Sequence, residues 1–183
     1  MKIFWFARYF FYSLFFKKSG FPCYLGKPIS IVGINKIKVG KKVRIYPHVR
    51  IEVHGKNSIL DIQDNVGIAQ NVHITCNGNL IIGKNTTILA NAFITNIDHD
   101  YKEIDVPVLQ QEHILRRTLI GENCFIGIGA AIQAGTILGK QCIVGTNSVV
   151  RGTFPDYCVI AGNPAKIIKQ FNFDTQKWEK YVN

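Results

Sequence analysis

His99 lies between two carboxylates, Asp98 and Asp100, and is followed by Tyr101. An imidazole with an ordinary pKa near neutrality can take a proton from a hydroxyl and return it to a leaving group within one turnover. Either flanking aspartate is a candidate to orient the ring. Neighbours on an extended chain point to opposite sides, so at most one of them is well placed. The other histidines, His48, His54, His73 and His113, read as surface residues, because their spacing supplies no closely spaced pair of metal ligands. The five cysteines, at 23, 76, 124, 142 and 158, form no CxxC pair. Neither catalytic nor structural metal is expected, and a reduced, cytoplasmic compartment is the simplest setting for such thiols.

His99 belongs to residues 95–119, TNIDHDYKEIDVPVLQQEHILRRTL, a polar, proline-containing stretch with no repeat. On both sides the chain is periodic. From Ile120 to Pro155 it divides into six hexamers: IGENCF, IGIGAA, IQAGTI, LGKQCI, VGTNSV and VRGTFP. The first column is aliphatic throughout, the second mostly glycine, and the fifth small until Phe154. Neither a helix nor a two-residue alternation gives that pattern, whereas a hexapeptide period belongs to a parallel β-helix. Each hexamer then supplies a short strand and a corner, and three hexamers complete one coil of a triangular prism. The aliphatic residue points inward, and the glycine is assigned to the tight corner.

Upstream the repeat is rougher but present, in three runs: Val39, Ile45, Ile51; Ile62, Ile68, Ile74; and Ile82, Ile88, Ile94. The slips between runs, near 52–61 and 79–81, predict small bulges or loops. The phase is then lost from Ile94 until Ile120, so residues 95–119 must leave the prism as an exposed loop, the usual place for function on a regular scaffold. The predicted organisation is all-β: an N-terminal segment over 1–28, a β-helix over 29–155 with its protruding loop, and a tail over 156–183.

The first segment, IFWFARYFFYSLFF from Ile3 to Phe16, is too short to span a bilayer, which takes about 20 residues. Lys2, Arg8, Ser13 and Lys17 do not gather on one helical face. Two readings stay open. The segment lies in a membrane interface with Trp5 at headgroup level and Lys17 and Lys18 on anionic lipid, or it packs on an open end of the prism. With 183 residues, 47% apolar and 19% charged, the chain is a folded domain of net charge +10. No helix-turn-helix, zinc-finger or RNA-binding signature accompanies the basic excess, so nucleic acid is not the expected partner. The final FDTQKWEKYVN reads as a strap or helix on the prism.

After the regular run come VGTNSVV, Val144–Val150, and AGNPAK, Ala161–Lys166. Together with the hexamers and His99-Asp100-Tyr101, these segments resemble the hexapeptide-repeat acyltransferases of the sugar O-acetyltransferase type, over roughly residues 30–170. The resemblance implies a left-handed β-helix; periodicity could not give that hand, since parallel crossovers are generally right-handed. It implies acetyl-CoA as donor, a sugar or glycan acceptor, His99 as general base, and a homotrimer with sites in the clefts between prisms. It carries coenzyme contacts onto Phe125, Ile128, Thr146, Arg151, Lys166 and Lys169. Acceptor contacts fall on Asn71, Asn77, Asp100 and Tyr101. Phe125 stands where many relatives have tryptophan, and Ile128 where some have serine. N-acetylation of a nucleotide-linked amino sugar, and a non-catalytic scaffold or binding module, are the alternatives.

Overall fold

The computed structural model describes residues 2–181. Short parallel strands wind into a three-faced solenoid of about seven turns, with one N-terminal helix, Lys2–Ser13. The first face stacks Ser30–Val32, the opening half of Arg50–Ile62, the opening half of His73–Ile82, Phe93–Thr95, Ala131–Ile132 and Val149–Val150. The second carries Ile37–Val39, the closing halves of the same two long strands, Thr118–Ile120, Ile137–Leu138 and Thr153–Phe154. The third runs from Tyr24–Leu25 through Phe125–Ile126 and Ile143–Val144 to Cys158–Gly162.

The aliphatic column becomes the core. On the first face Ile51, Ile74, Ile94, Ile132 and Val150 are register partners in consecutive coils, and all are buried. Each stacked pair removes apolar surface that a single coil could not hide, so stability accumulates along the stack. The small column is buried as expected. Its cysteines are free, and Cys142 and Cys158 stack with their sulfurs 3.6 Å apart.

The glycine column has a different reason from the one its sequence suggests. The left-handed corner residues are Asn123, Gly129, Gly135, Gln141 and Asn147, the fourth column. Asparagine, which tolerates positive φ, fills many of these corners, and Asn65, Asn85 and Asn123 link side chain to side chain up the edge. The second-column glycines instead permit close approach of coil to coil: a Cβ on Gly127 would stand 2.7 Å from the carbonyl carbon of Gly145.

Several expected boundaries move. The slip at 52–61 is a register shift between His54 and Ile59, with residues 54–57 exposed. The slip at 79–81 makes no loop: His73–Ile82 is one continuous strand that turns the corner at Gly78, φ +83°. Strands Lys18–Ser19 and Tyr24–Leu25 already belong to the prism, so it begins before residue 29. It also runs past 155, because Cys158 and Ile160 are buried beside the preceding coil. The tail is not a helix: Ala165–Asn172 and Lys177–Lys180 extend the third face as antiparallel strands.

The N-terminal helix closes the open end of the first coil. Tyr9 is fully buried and its hydroxyl donates to the Gly20 carbonyl at 2.9 Å, while Arg8 donates to the Leu25 carbonyl at 3.2 Å. Trp5 packs edge-on against Tyr46, so it is part of this cap and not a residue held at a lipid headgroup. No helix among the described residues is long and apolar enough to cross a membrane.

Candidate active site

The excursion leaves the corner between the first and second faces as an antiparallel pair, Ile97–His99 with His113–Leu115, joined by the loop tip. Its root is fastened by Asn96, which is 2% exposed. The Asn96 side chain accepts from the Asn77 N–H at 2.8 Å and donates to the Asn77 carbonyl at 2.6 Å. Its own carbonyl accepts from the Arg116 N–H at 2.9 Å, tying the outgoing strand to the returning one. Thr118, also buried, donates to the Thr95 carbonyl at 3.1 Å. At the tip, buried Gln111 accepts from the Glu103 N–H and donates to the carbonyls of Glu103 and Val106. The loop is therefore a built element.

That construction puts His99 directly opposite His113, with ring centroids 4.8 Å apart and planes at 89°. The two imidazoles border a cleft of about 430 Å³ that also takes in His54, His73, Asp98 and Arg151. Four of the five histidines thus converge on one space from strands far apart in sequence. His113 was indistinguishable from a surface residue in the sequence; only its hairpin register with His99 reveals it. His99 Nδ1 is buried with no hydrogen-bond partner among the described residues.

Neither aspartate orients the His99 ring. Asp98 accepts from Arg151 Nη2 at 2.8 Å and Arg116 Nε at 3.3 Å, and its other oxygen accepts from the His99 backbone N–H at 3.1 Å. Partial burial works to raise the pKa of Asp98, but the His99 N–H and the two guanidiniums outweigh it and hold the carboxyl below the usual carboxylate range. Asp98 therefore fixes the hairpin backbone to the last coils. Asp100 accepts from the N–H groups of Tyr101 and Lys102, a turn closed on itself, and Tyr101 is 75% exposed.

The acceptor residues expected upstream do not join His99. Asn71 is an exposed corner residue at φ +59°, and Asn77 is spent on Asn96 and on Ser58. Both are corner or fastening asparagines, a role that the repeat itself demands. Arg151 also departs from expectation: it borders the His99 cleft, bound to Asp98, instead of joining Lys166 and Lys169.

The remaining coenzyme candidates gather on the third face. Phe125 pairs in register with Ile143, so Ile128 and Thr146 occupy equivalent positions of successive coils at the next corner. Phe125 and Ile128 are 43% and 46% exposed, an apolar wall on the surface. AGNPAK forms the tight connection between Cys158–Gly162 and Ala165–Asn172; Gly162, at φ +107°, donates to Ser148 Oγ at 3.1 Å. Lys166 and Lys169 stand exposed on the second of these strands. An exposed apolar wall, with lysines on an adjoining hairpin, fits a pantetheine arm ending in phosphates. Within one chain, however, this surface and the His99 cleft occupy different corners of the prism.

A three-faced hexapeptide solenoid with a histidine-bearing hairpin at one corner defines a class, and the comparisons agree. Residues 117–152 match the family described as bacterial transferase hexapeptide (six repeats). The putative lipopolysaccharide biosynthesis O-acetyl transferase WbbJ of Escherichia coli K12 is 35% identical over 167 residues, 87% of this chain and 82% of that protein. The chain belongs to the hexapeptide-repeat acyltransferases. Among solved structures, the N-acyltransferase AntD of Bacillus cereus, in complex with dTDP and 3-hydroxybutyryl-CoA, superposes with a TM-score of 0.78. It is 16% identical, and the match covers 93% of this chain and 92% of that one. A galactoside acetyltransferase in complex with coenzyme A gives 0.61 at 20% identity, covering 96% and 78%. The shared fold is the left-handed parallel β-helix, which supplies the hand that periodicity could not.

Proposed function

We propose that this protein transfers an acetyl group from acetyl-CoA to a sugar hydroxyl of a surface-polysaccharide precursor, with His99 as general base. The observation that carries the reading is the hairpin itself: an Asn96-fastened projection holds His99, opposite His113, in an open cleft on a chain 35% identical to WbbJ. Acetyl-CoA supplies the thioester acetyl. His99 takes the acceptor hydroxyl proton as that oxygen forms the new ester bond, and returns it to the departing thiolate. Phe125, Ile128 and Thr146 line the pantetheine arm, and Lys166 and Lys169 meet the phosphates. Asp98 and Arg151 hold the hairpin at its working position.

The two surfaces occupy different corners, so the working enzyme is a trimer in which His99 of one prism faces the coenzyme surface of its neighbour. The enzyme acts at the inner face of the cytoplasmic membrane, where such precursors are assembled. A second reading, N-acylation of an amino sugar on a nucleotide carrier, is favoured by the reaction named for AntD and would use the same base and donor. Incubation with acetyl-CoA and two panels, one of glycan precursors and one of nucleotide-linked amino sugars, followed by product mass analysis, tests both. A base-labile ester supports O-acetylation, a base-stable amide supports the alternative, and no product with either panel refutes the enzymatic reading.

A further inference from the structure

In a solenoid, order along the chain is order along the axis, and here charge is sorted along it. Half of the 22 basic residues fall within residues 1–51, which contain no acidic residue; that segment carries +11, and the remaining residues, with 11 basic and 12 acidic, carry −1. The net charge of the molecule therefore belongs to the N-terminal end of the prism.

The same end carries the helix Lys2–Ser13, which is mostly apolar but covered on one side only. Trp5, Arg8, Tyr9 and Tyr12, spaced at one helical face, pack toward the prism. On the opposite side Ile3, Phe4, Phe11, Leu14 and Phe15 are 63–81% exposed. Exposed Lys2, Lys17, Lys18 and Lys27 flank them. A contiguous aromatic and aliphatic face within a basic rim is the composition of an interfacial segment on anionic lipid. A second copy is a poor occupant, since joining two such ends sets +11 against +11. A nucleic acid would satisfy the charge and stack on phenylalanine, but it leaves Ile3 and Leu14 uncovered in the same face.

We infer that the prism stands on an anionic bilayer by its N-terminal end, with the outer face of the helix in the headgroup layer and the axis roughly normal to the surface. Three coil spacings separate Ser30–Val32 from Phe93–Thr95. At about 4.8 Å per spacing, above a helix about 10 Å across, the His99 hairpin is held about 25 Å from the membrane. That height suits a sugar carried several units out from its lipid anchor. The inference extends the membrane placement in the proposed function, and its test makes no use of acetyl transfer.

The test is co-sedimentation of the full chain with vesicles of phosphatidylcholine alone or with phosphatidylglycerol. Native protein is expected on the phosphatidylglycerol vesicles, with at least tenfold weaker binding to pure phosphatidylcholine and release by salt. The triple variant Phe4→Ser, Phe11→Ser, Leu14→Ser alters only exposed side chains; it should keep the native circular dichroism and lose at least tenfold in vesicle binding. His99→Ala should bind vesicles like the native chain. Equal binding of native and triple variant, or none by native protein, overturns the inference. So does an end-to-end dimer, or RNA retention, that the triple variant loses in place of vesicle binding.

Discussion

Replacing Asn96 with alanine should damage both stability and chemistry, and the structure sets the size of the first effect. The Asn96 amide makes two short hydrogen bonds to the backbone of one residue of the preceding coil, Asn77, at 2.8 and 2.6 Å. Alanine leaves the Asn77 N–H and carbonyl without those partners. At about 1–3 kcal/mol for each backbone group stranded in this way, the loss is about 2–6 kcal/mol. For a chain of this size that lowers Tm by roughly 4–24 °C. Thermal unfolding followed by circular dichroism measures it. Amide hydrogen exchange locates it, with the N–H groups of Asn77 and Arg116 losing protection before those of the buried strands. Because the hairpin root also sets the His99 position, kcat should fall at temperatures where the prism is still folded. A variant with Tm within about 2 °C of native and an unchanged Asn77 exchange rate would refute the claim that Asn96 fastens the His99 hairpin.

His99→Ala should cost about 10²–10⁴ in kcat/KM with little change in acetyl-CoA affinity; a loss below about tenfold removes it as the base. Asp98 has a lowered folded-state pKa, so its contribution to stability is full above its unfolded pKa, about 3.9, and is lost as pH falls through the folded value. Native protein should therefore lose Tm below about pH 4 more steeply than Asp98→Asn, which lacks that titration. Gly127→Ala should destabilise by about 2–3 kcal/mol, because its Cβ meets rigid backbone at 2.7 Å. Gly67→Ala, whose nearest neighbour is the Arg44 side chain at 3.7 Å, should be within about 1 kcal/mol of native in denaturant titration. Co-expressing His99→Ala with the Lys166→Ala, Lys169→Ala double variant should yield mixed trimers more active than either parent; no gain over the parents argues against sites shared between subunits.

The prism was legible because it is written once per face, three times in every coil. Column spacing gave the core, the coil geometry and the place where the chain leaves the scaffold, and the excursion gave His99. What the sequence hid is what depends on register between distant segments. His113 reaches His99 only because the hairpin pairs those two residues, and Arg151 reaches Asp98 only because both occupy the same corner, 53 positions apart. Asn96 carried one weak signal, a polar residue at the point where the aliphatic period breaks, but nothing local distinguishes a fastening asparagine from the corner asparagines. The glycine column misled for a related reason. Its requirement comes from the neighbouring coil and not from its own φ, and single-chain periodicity reports only that glycine recurs.

The same geometry explains why a regular scaffold must be irregular to be an enzyme. Every coil offers three equivalent corners, and stacking alone makes none of them special. Here one corner is marked by inserting a hairpin, and another by carrying the chain past the last coil into the AGNPAK turn and its lysine-bearing strand. A rigid prism cannot fold one corner onto another, so in the proposed mechanism base and donor surface meet only when a second prism supplies the complementary corner. The proposed trimer supplies that second prism. A monomer that is folded, binds acetyl-CoA and still transfers acetyl at the native rate would contradict it.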